Sequence, residues 1–276
     1  MAELTVVVPV GPPPRPFLQQ ALMSLRPDFP DPRGDVIVVF DGSEPESEEE
    51  QLLNDLQATV MVLPKQGCLA EVLNRGLARA TTPLITRVDA DDLWVQGRLT
   101  QQLDLMRQNP SCVLAGSDAT TIDSDGAVIG VLRAGHGLNL RRAMVVRNQM
   151  LHPTVIFRAD HVAEAGGYPS VDRVEDYALW LDLARRGDII NTDARWVRYR
   201  IHDGQQTRRF VGRDGAREIA HRRRELGRAI GMGSAQVRAC DTAWRLAQNG
   251  SLRRVRKMWW REERLRTIEP SGSLDG

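Results

Sequence analysis

Four short runs of aliphatic and β-branched residues, each followed by a stretch with apolar residues three or four apart, fill the first 110 positions. That alternation constrains the fold more than any other feature. The runs are Leu4-Thr5-Val6-Val7-Val8-Pro9-Val10, Asp35-Val36-Ile37-Val38-Val39-Phe40, Val60-Met61-Val62-Leu63 and Pro83-Leu84-Ile85-Thr86-Arg87-Val88. Apolar residues on successive positions mark strands covered on both faces. Between the runs, Phe17, Leu18, Ala21, Leu22 and Leu25 recur at helical spacing. The acidic stretch 44–50 suits a helix N-terminus. Leu69, Leu73 and Leu77 share one face of 67–80, and 98–106 repeats the pattern. Strand and helix in alternation give a parallel sheet with helices on both faces. The stretch 11–16 carries four prolines and is loop.

In such a sheet ligands bind at the carboxyl ends of the strands. Asp41 follows the second run, and Asp89, Asp91 and Asp92 follow the fourth within Arg87-Val88-Asp89-Ala90-Asp91-Asp92-Leu93-Trp94. Three carboxylates in four residues repel one another, so they are either solvated in an acidic turn or neutralised by a cation. Oxygen-only ligands suit a hard ion, Mg²⁺ or Mn²⁺. No G-x-G-x-x-G follows the first strand, and no G-x-x-x-x-G-K-[ST] occurs anywhere, which disfavours dinucleotide and P-loop functions.

The second half changes character. Val113-Leu114-Ala115-Gly116 reads as a strand, residues 120–129 as a hairpin turning at Asp125-Gly126, and His152-Pro153-Thr154-Val155-Ile156-Phe157 as a further strand. A helix opens at Glu175-Asp176, with Gly187 past its end. Cys68, Cys112 and Cys240 are widely spaced and read as free thiols in a reducing compartment. No apolar run reaches a membrane span and no secretory leader pattern is present, so the sequence-based expectation is a cytoplasmic protein.

Taken in order, several pieces resemble the family 2 inverting glycosyltransferases of the GT-A fold, in particular bacterial amylovoran, exopolysaccharide and O-antigen biosynthesis transferases. They are Val7-Val8-Pro9-Val10, Val38-Val39-Phe40-Asp41-Gly42-Ser43, 67–76 with Asn74, Arg87-Val88-Asp89-Ala90-Asp91-Asp92, and 148–157 with His152-Pro153-Thr154. Gly166-Gly167-Tyr168, Glu175-Asp176-Tyr177-Ala178-Leu179-Trp180 and Val197-Arg198-Tyr199-Arg200 complete the series, over roughly residues 4–210. The resemblance implies an α/β GT-A-type nucleotide-binding fold: an open mixed sheet with helices on both faces, followed by a helical basic C-terminal extension. It divides the chain into a catalytic domain at 1–211, with a nucleotide-sugar half at 1–118 and an acceptor half at 119–211, and the extension at 212–276.

The same resemblance implies that Pro9, Val10, Asp41, Asn74, Arg87, Asp89 and Ala90 contact the nucleotide sugar. Asp91 would be the metal ligand, Asp89 would hold ribose or metal, and Asp92 would give support, while His202, read from its own position, could complete the metal shell or bind the diphosphate. Asp176 would be the general base, with Glu175 beside it. His152 and Trp180 would stand on the acceptor side, structural roles being the alternative for both. Phe40 replaces the first acid of the family's Asp-Asp-Gly. Gly11-Pro12 and Leu73 stand where many relatives carry Tyr-Asn and an Arg. The implied activity moves a sugar from a nucleotide-diphosphate donor to a hydroxyl of a glycan or lipid-linked acceptor in bacterial surface polysaccharide synthesis. A non-catalytic glycan- or lipid-binding scaffold is the alternative. A sugar nucleotidyltransferase is disfavoured because the loop 11–15 makes a poor phosphate cradle.

A net charge of +1 hides an asymmetry: 208–266 holds 17 Lys/Arg against 6 Asp/Glu. The stretch 251–266 reads as an amphipathic basic helix with Leu252, Val255 and Trp259 on one face. Such a helix suits peripheral contact with an anionic membrane at the inner face of the plasma membrane. Packing of the same stripe on the catalytic domain is the alternative. No motif supports nucleic-acid binding.

Overall fold

A computed structural model describes residues 2–137, 139–171, 173–202, 212–248 and 265–266. The fully buried strand β1 (Leu4–Val10) lies at the middle of the parallel strands. It pairs in parallel with β2 (Gly34–Asp41) on one side and β4 (Leu84–Arg87) on the other, with Val7 opposite both Ile37 and Arg87. β3 (Thr59–Leu63) extends the parallel set beyond β2. Because these strands run the same way, Val10, Asp41 and the turn after Arg87 all emerge at one edge.

Beyond β4 the sheet becomes mixed. β8 (Ile156–Arg158) is antiparallel to both β4 and β6 (Cys112–Ile122). β6 forms a hairpin with β7 (Val128–Leu132) and runs parallel to β9 (Asp188–Arg200), which also pairs with the short β5 (Leu93–Trp94). β10 (Leu265–Arg266) adds to the β7 edge.

The continuous apolar run of β1 is explained by two cores. Val7 faces one, with Ile37, Val39 and Ile85. Leu4, Val6, Val8 and Val10 face the other, with Val36, Val38 and Phe40. On the second side lie α1 (Leu18–Leu25), α2 (Ser47–Asp55) and α4 (Arg98–Gln108). On the first lie α3 (Leu69–Arg79), α5 (Leu140–Val146), α6 (Ala159–Ala165), α7 (Glu175–Leu183), α8 (Arg213–Ala229) and α9 (Ser234–Gln248).

Several sequence expectations need correction. The strand expected at 113–116 continues to Ile122 and merges with the first arm of the hairpin. At 152–157 only the end is strand, because His152–Thr154 forms a 3₁₀ turn in which Pro153 has no N–H to give a ladder. The amphipathic helix expected over 251–266 falls outside the described residues except for Leu265–Arg266, and these pair antiparallel with Leu132 and Val131 as strand. Among the described residues, no helix is long and apolar enough to cross a membrane.

Part of the C-terminal positive charge is used internally. Arg223 is fully buried and donates to the Tyr177 hydroxyl (3.0 Å), the Val146 carbonyl (3.0 Å) and Asp241 (3.3 Å). Arg222 pairs with Asp182 at 3.0 Å. Ile219, Leu226 and Val237 complete the core on α7.

Gly76 shows how closely α3 seats on the sheet. A Cβ there would lie 2.5 Å from Val7 Cγ1. Gly76→Ala gains about 1 kcal/mol of helix propensity, but overpacking a core contact of this kind costs about 1–3 kcal/mol. The expected outcome is a net loss of stability, read as a lower denaturant midpoint at unchanged m-value.

Candidate active site

The fourth strand delivers Arg87 into the cleft, and the chain then turns so that the Asp92 N–H donates to the Asp89 carbonyl at 3.1 Å. The turn gathers Asp89, Asp91 and Asp92, each with a carboxylate oxygen within 4.8 Å of the others. Their environments differ. Asp89 receives a hydrogen bond from Arg87 Nη2. Asp91 Oδ2 is 2.9 Å from His202 Nε2. Asp92 is fully buried. Its Oδ1 accepts the Arg200 N–H at 2.8 Å. Its Oδ2 has no partner among the described residues. Burial, then the neighbouring Asp91 charge, raise Asp92 well above the ordinary carboxylate range. Clustered oxygens, one of them orphaned, with an imidazole on the same side, fit a hard divalent cation.

Arg87 is buried and central. Besides Asp89 it donates from Nη1 to the His152 ring, 2.6 Å from Nε2. The Tyr168 hydroxyl lies 3.0 Å from the same ring nitrogen. Beneath it, buried Arg98 donates to the Arg87 carbonyl (3.0 Å) and to Thr86 Oγ1 (2.7 Å) while lying over the Trp94 ring at 4.2 Å. Burial lowers the Arg98 guanidinium to about 9, so it stays charged at neutral pH.

Glu175 and Asp176 open α7, where the helix dipole favours acids. Asp176 Oδ1 accepts the Tyr177 N–H at 2.6 Å and Oδ2 accepts from Asn148 Nδ2 at 3.1 Å. Burial raises Asp176 above its ordinary value, while these bonds and Arg87 pull it down. Arg87 therefore acts electrostatically on Asp176 while touching Asp89, so one guanidinium bears on both acids.

The other expected residues are distributed as follows. Pro9 and Val10 end β1 with buried side chains. Ala90 sits half-buried within the acidic turn. Asp41 Oδ1 accepts the Gln66 N–H at 2.5 Å, at the carboxyl edge of β2. The Asn74 amide clamps the Tyr168 backbone, donating to its carbonyl and accepting from its N–H, both at 2.8 Å. It thereby fixes Tyr168 beside His152.

Trp180 is a correction. It is fully buried against His152, Phe157 and Tyr168, so no ring face remains for a sugar. The sequence assigns no individual role to Asn148, Tyr168, Arg200 or Phe17, all of which the fold brings to the site. The first three lie inside the family-like pieces; Phe17 reads only as an apolar helix position.

Burial and the adjacent Arg87 charge hold the His152 imidazole well below its ordinary value. An unfolded histidine takes up its proton below about pH 6.5, whereas folded His152 resists it, so this residue removes stability as pH falls below that point. The raised carboxylates act in the opposite sense, gaining stability as pH falls, and are common to wild type and a His152 variant. His152→Gln should therefore lose less stability than wild type between pH 7 and pH 5, measured by urea midpoints at both.

The profile of Glycosyl transferase family 2 matches residues 5–162. The amylovoran biosynthesis glycosyltransferase AmsE of Erwinia amylovora is 30% identical over 173 residues, covering 62% of this chain and 65% of the relative. An Escherichia coli protein named UDP-Gal:alpha-D-GlcNAc-diphosphoundecaprenol beta-1,3-galactosyltransferase is 29% identical, covering 62% and 63% respectively. The matched segments thus span less than two thirds of either relative. Among solved structures, S. aureus TarS 1-349 in complex with UDP-GlcNAc superposes with a TM-score of 0.67 at 18% identity, over 93% of this chain and 75% of that one. That likeness fixes the architecture as the GT-A type. With more than half of its length matched by the profile, the chain belongs to glycosyl transferase family 2.

Proposed function

We propose that this chain transfers a sugar from a uridine-diphosphate donor to a hydroxyl of a lipid-diphosphate-linked saccharide, in the building of a bacterial surface polysaccharide. The reaction is a single displacement with inversion, and it depends on Mg²⁺ or Mn²⁺. The relatives' names support donor and acceptor classes. What supports the chemistry is Arg87, a buried guanidinium that donates to Asp89 and whose charge acts on Asp176.

Asp89 and Asp91, with His202 beside them and Asp92 behind, would hold the cation. When bound, such an ion supplies positive charge to the departing diphosphate. Asp41 and the carboxyl ends of β1 and β2 would receive the base, and Ala90 would lie against the ribose. Across the cleft, Asp176 takes the proton of the attacking hydroxyl onto its carboxylate. Its raised affinity for protons makes it a better base than a solvated aspartate. The hydrogen bond from Asn148 holds one oxygen in place, so the carboxylate keeps its aim while its charge is neutralised. Glu175, in the same helical turn, adds negative potential that favours proton uptake. His152, kept neutral, orients Arg87 rather than contributing charge of its own.

Incubation with UDP-sugars and an undecaprenyl-diphosphate saccharide, with and without Mn²⁺, tests the reading directly. No donor consumption and no Mn²⁺-dependent UDP binding would remove it. Asp91→Asn is expected to abolish Mn²⁺-dependent UDP binding in calorimetry. Asp176→Asn should keep that binding and lose about 10²–10⁴-fold in kcat. The acid limb of the wild-type kcat profile should fall above the ordinary carboxylate range near pH 4, because the base is raised.

A further inference from the structure

Arg200 ends β9 fully buried, and two of its donors reach the acidic turn. Its Nε donates to the Asp91 carbonyl at 2.9 Å and its backbone N–H donates to Asp92 Oδ1 at 2.8 Å. Nη1 donates to the carbonyls of Asp123 and Ser124, each at 3.0 Å, in the turn of the β6–β7 hairpin. Nη2 donates to Gln20 Oε1 at 2.7 Å, on α1. The guanidinium lies 4.4 Å above the Phe17 ring, and that ring stands 5.1 Å from the His202 ring. His202 Nε2 returns to Asp91 Oδ2 at 2.9 Å. The contacts close a circuit: Arg200, Phe17, His202, Asp91 and back to Arg200.

We propose that Arg200 is a positioning residue for the cation site. It sets the direction of the Asp91 carboxylate and, through Phe17, that of the His202 ring, without touching cation or nucleotide. The inference rests on the reading that the acidic turn holds a divalent ion.

Two features separate this from general support of the fold. The guanidinium directly bonds the backbone of Asp91, the residue whose carboxylate meets His202. Its planar fork reaches three separate chain segments at once, a geometry that the single ammonium of lysine cannot reproduce. Arg200→Lys therefore keeps the charge and breaks the circuit.

The experiment follows Mn²⁺ binding to the full chain by electron paramagnetic resonance, with and without UDP. Thermal unfolding and metal-free UDP binding are measured alongside. Arg200→Lys is expected to weaken Mn²⁺ binding by about 10–100-fold, the range typical of residues that orient metal ligands, with metal-free UDP binding unchanged. If that variant does not fold, Phe17→Leu decides. It leaves the guanidinium and most of the apolar volume in place and removes only the ring joining Arg200 to His202. It should weaken Mn²⁺ binding in the same direction without affecting metal-free UDP. A folded Arg200→Lys or Phe17→Leu chain that binds Mn²⁺ as tightly as wild type overturns the proposal. A wild-type chain that binds no Mn²⁺ removes the cation-site reading itself, and this inference with it.

Discussion

Negative charge gathered at one sheet edge has to be balanced by cations held in apolar surroundings, and the architecture of the cleft follows from how this is done. Arg87 meets the acidic turn at Asp89 and Arg200 meets it at Asp91, both almost completely buried. A buried guanidinium is costly unless its donors are satisfied. Each one therefore recruits neighbours: His152 and Asp89 for the first, backbone carbonyls and Gln20 for the second. Those obligations pull strands, turns and helices into register around the acids. The carboxylates and the arginines are thus mutually necessary, since either set alone would be an uncompensated charge in a poor solvent.

The first half was readable because β1, β2 and β4 are largely buried and its helices carry clean apolar stripes. The edge strand β3, with Val60 and Val62 exposed, still reads from its β-branched run. β1 is the plainest case, every residue from Leu4 to Val10 being buried. The part of the chain beyond β5 was harder to read. β9 spans thirteen residues, yet Asp188-Ile189-Ile190-Asn191-Thr192-Asp193-Ala194-Arg195-Trp196-Val197-Arg198-Tyr199-Arg200 alternates buried and exposed positions irregularly, with register shifts against β6. Nothing in its local composition marks it as a strand that pairs on two sides. The seven-residue helices α5 and α6 are too short for periodicity to speak.

The same limit applies to the site. Asp89, Asp91 and Asp176 were visible because carboxylates after a strand or at a helix start have a mechanism attached. For Trp180 the sequence left an acceptor-side and a structural role open, and burial decides for the structural one. Asn74 carried a motif match, but its clamp on Tyr168, 94 positions away, is a tertiary fact with no local trace. Arg200 is the extreme case, touching residues up to 180 positions distant. Polar residues whose partners lie far along the chain are chosen by packing, and packing is what a linear pattern does not contain.

The acids arrive early in the chain, whereas the groups that steady two of them arrive late. Asp92 meets the Arg200 N–H, and Asp91 meets His202, each more than a hundred positions further on. Both cores, too, draw on late residues: Trp180 and Ile219 in one, Ile156 and Trp196 in the other. The pocket gains its finished shape only when β9 threads in beside β6 and brings its final arginine home. A chain that stopped short of that strand would carry the acids without the backbone N–H and the imidazole that meet two of them.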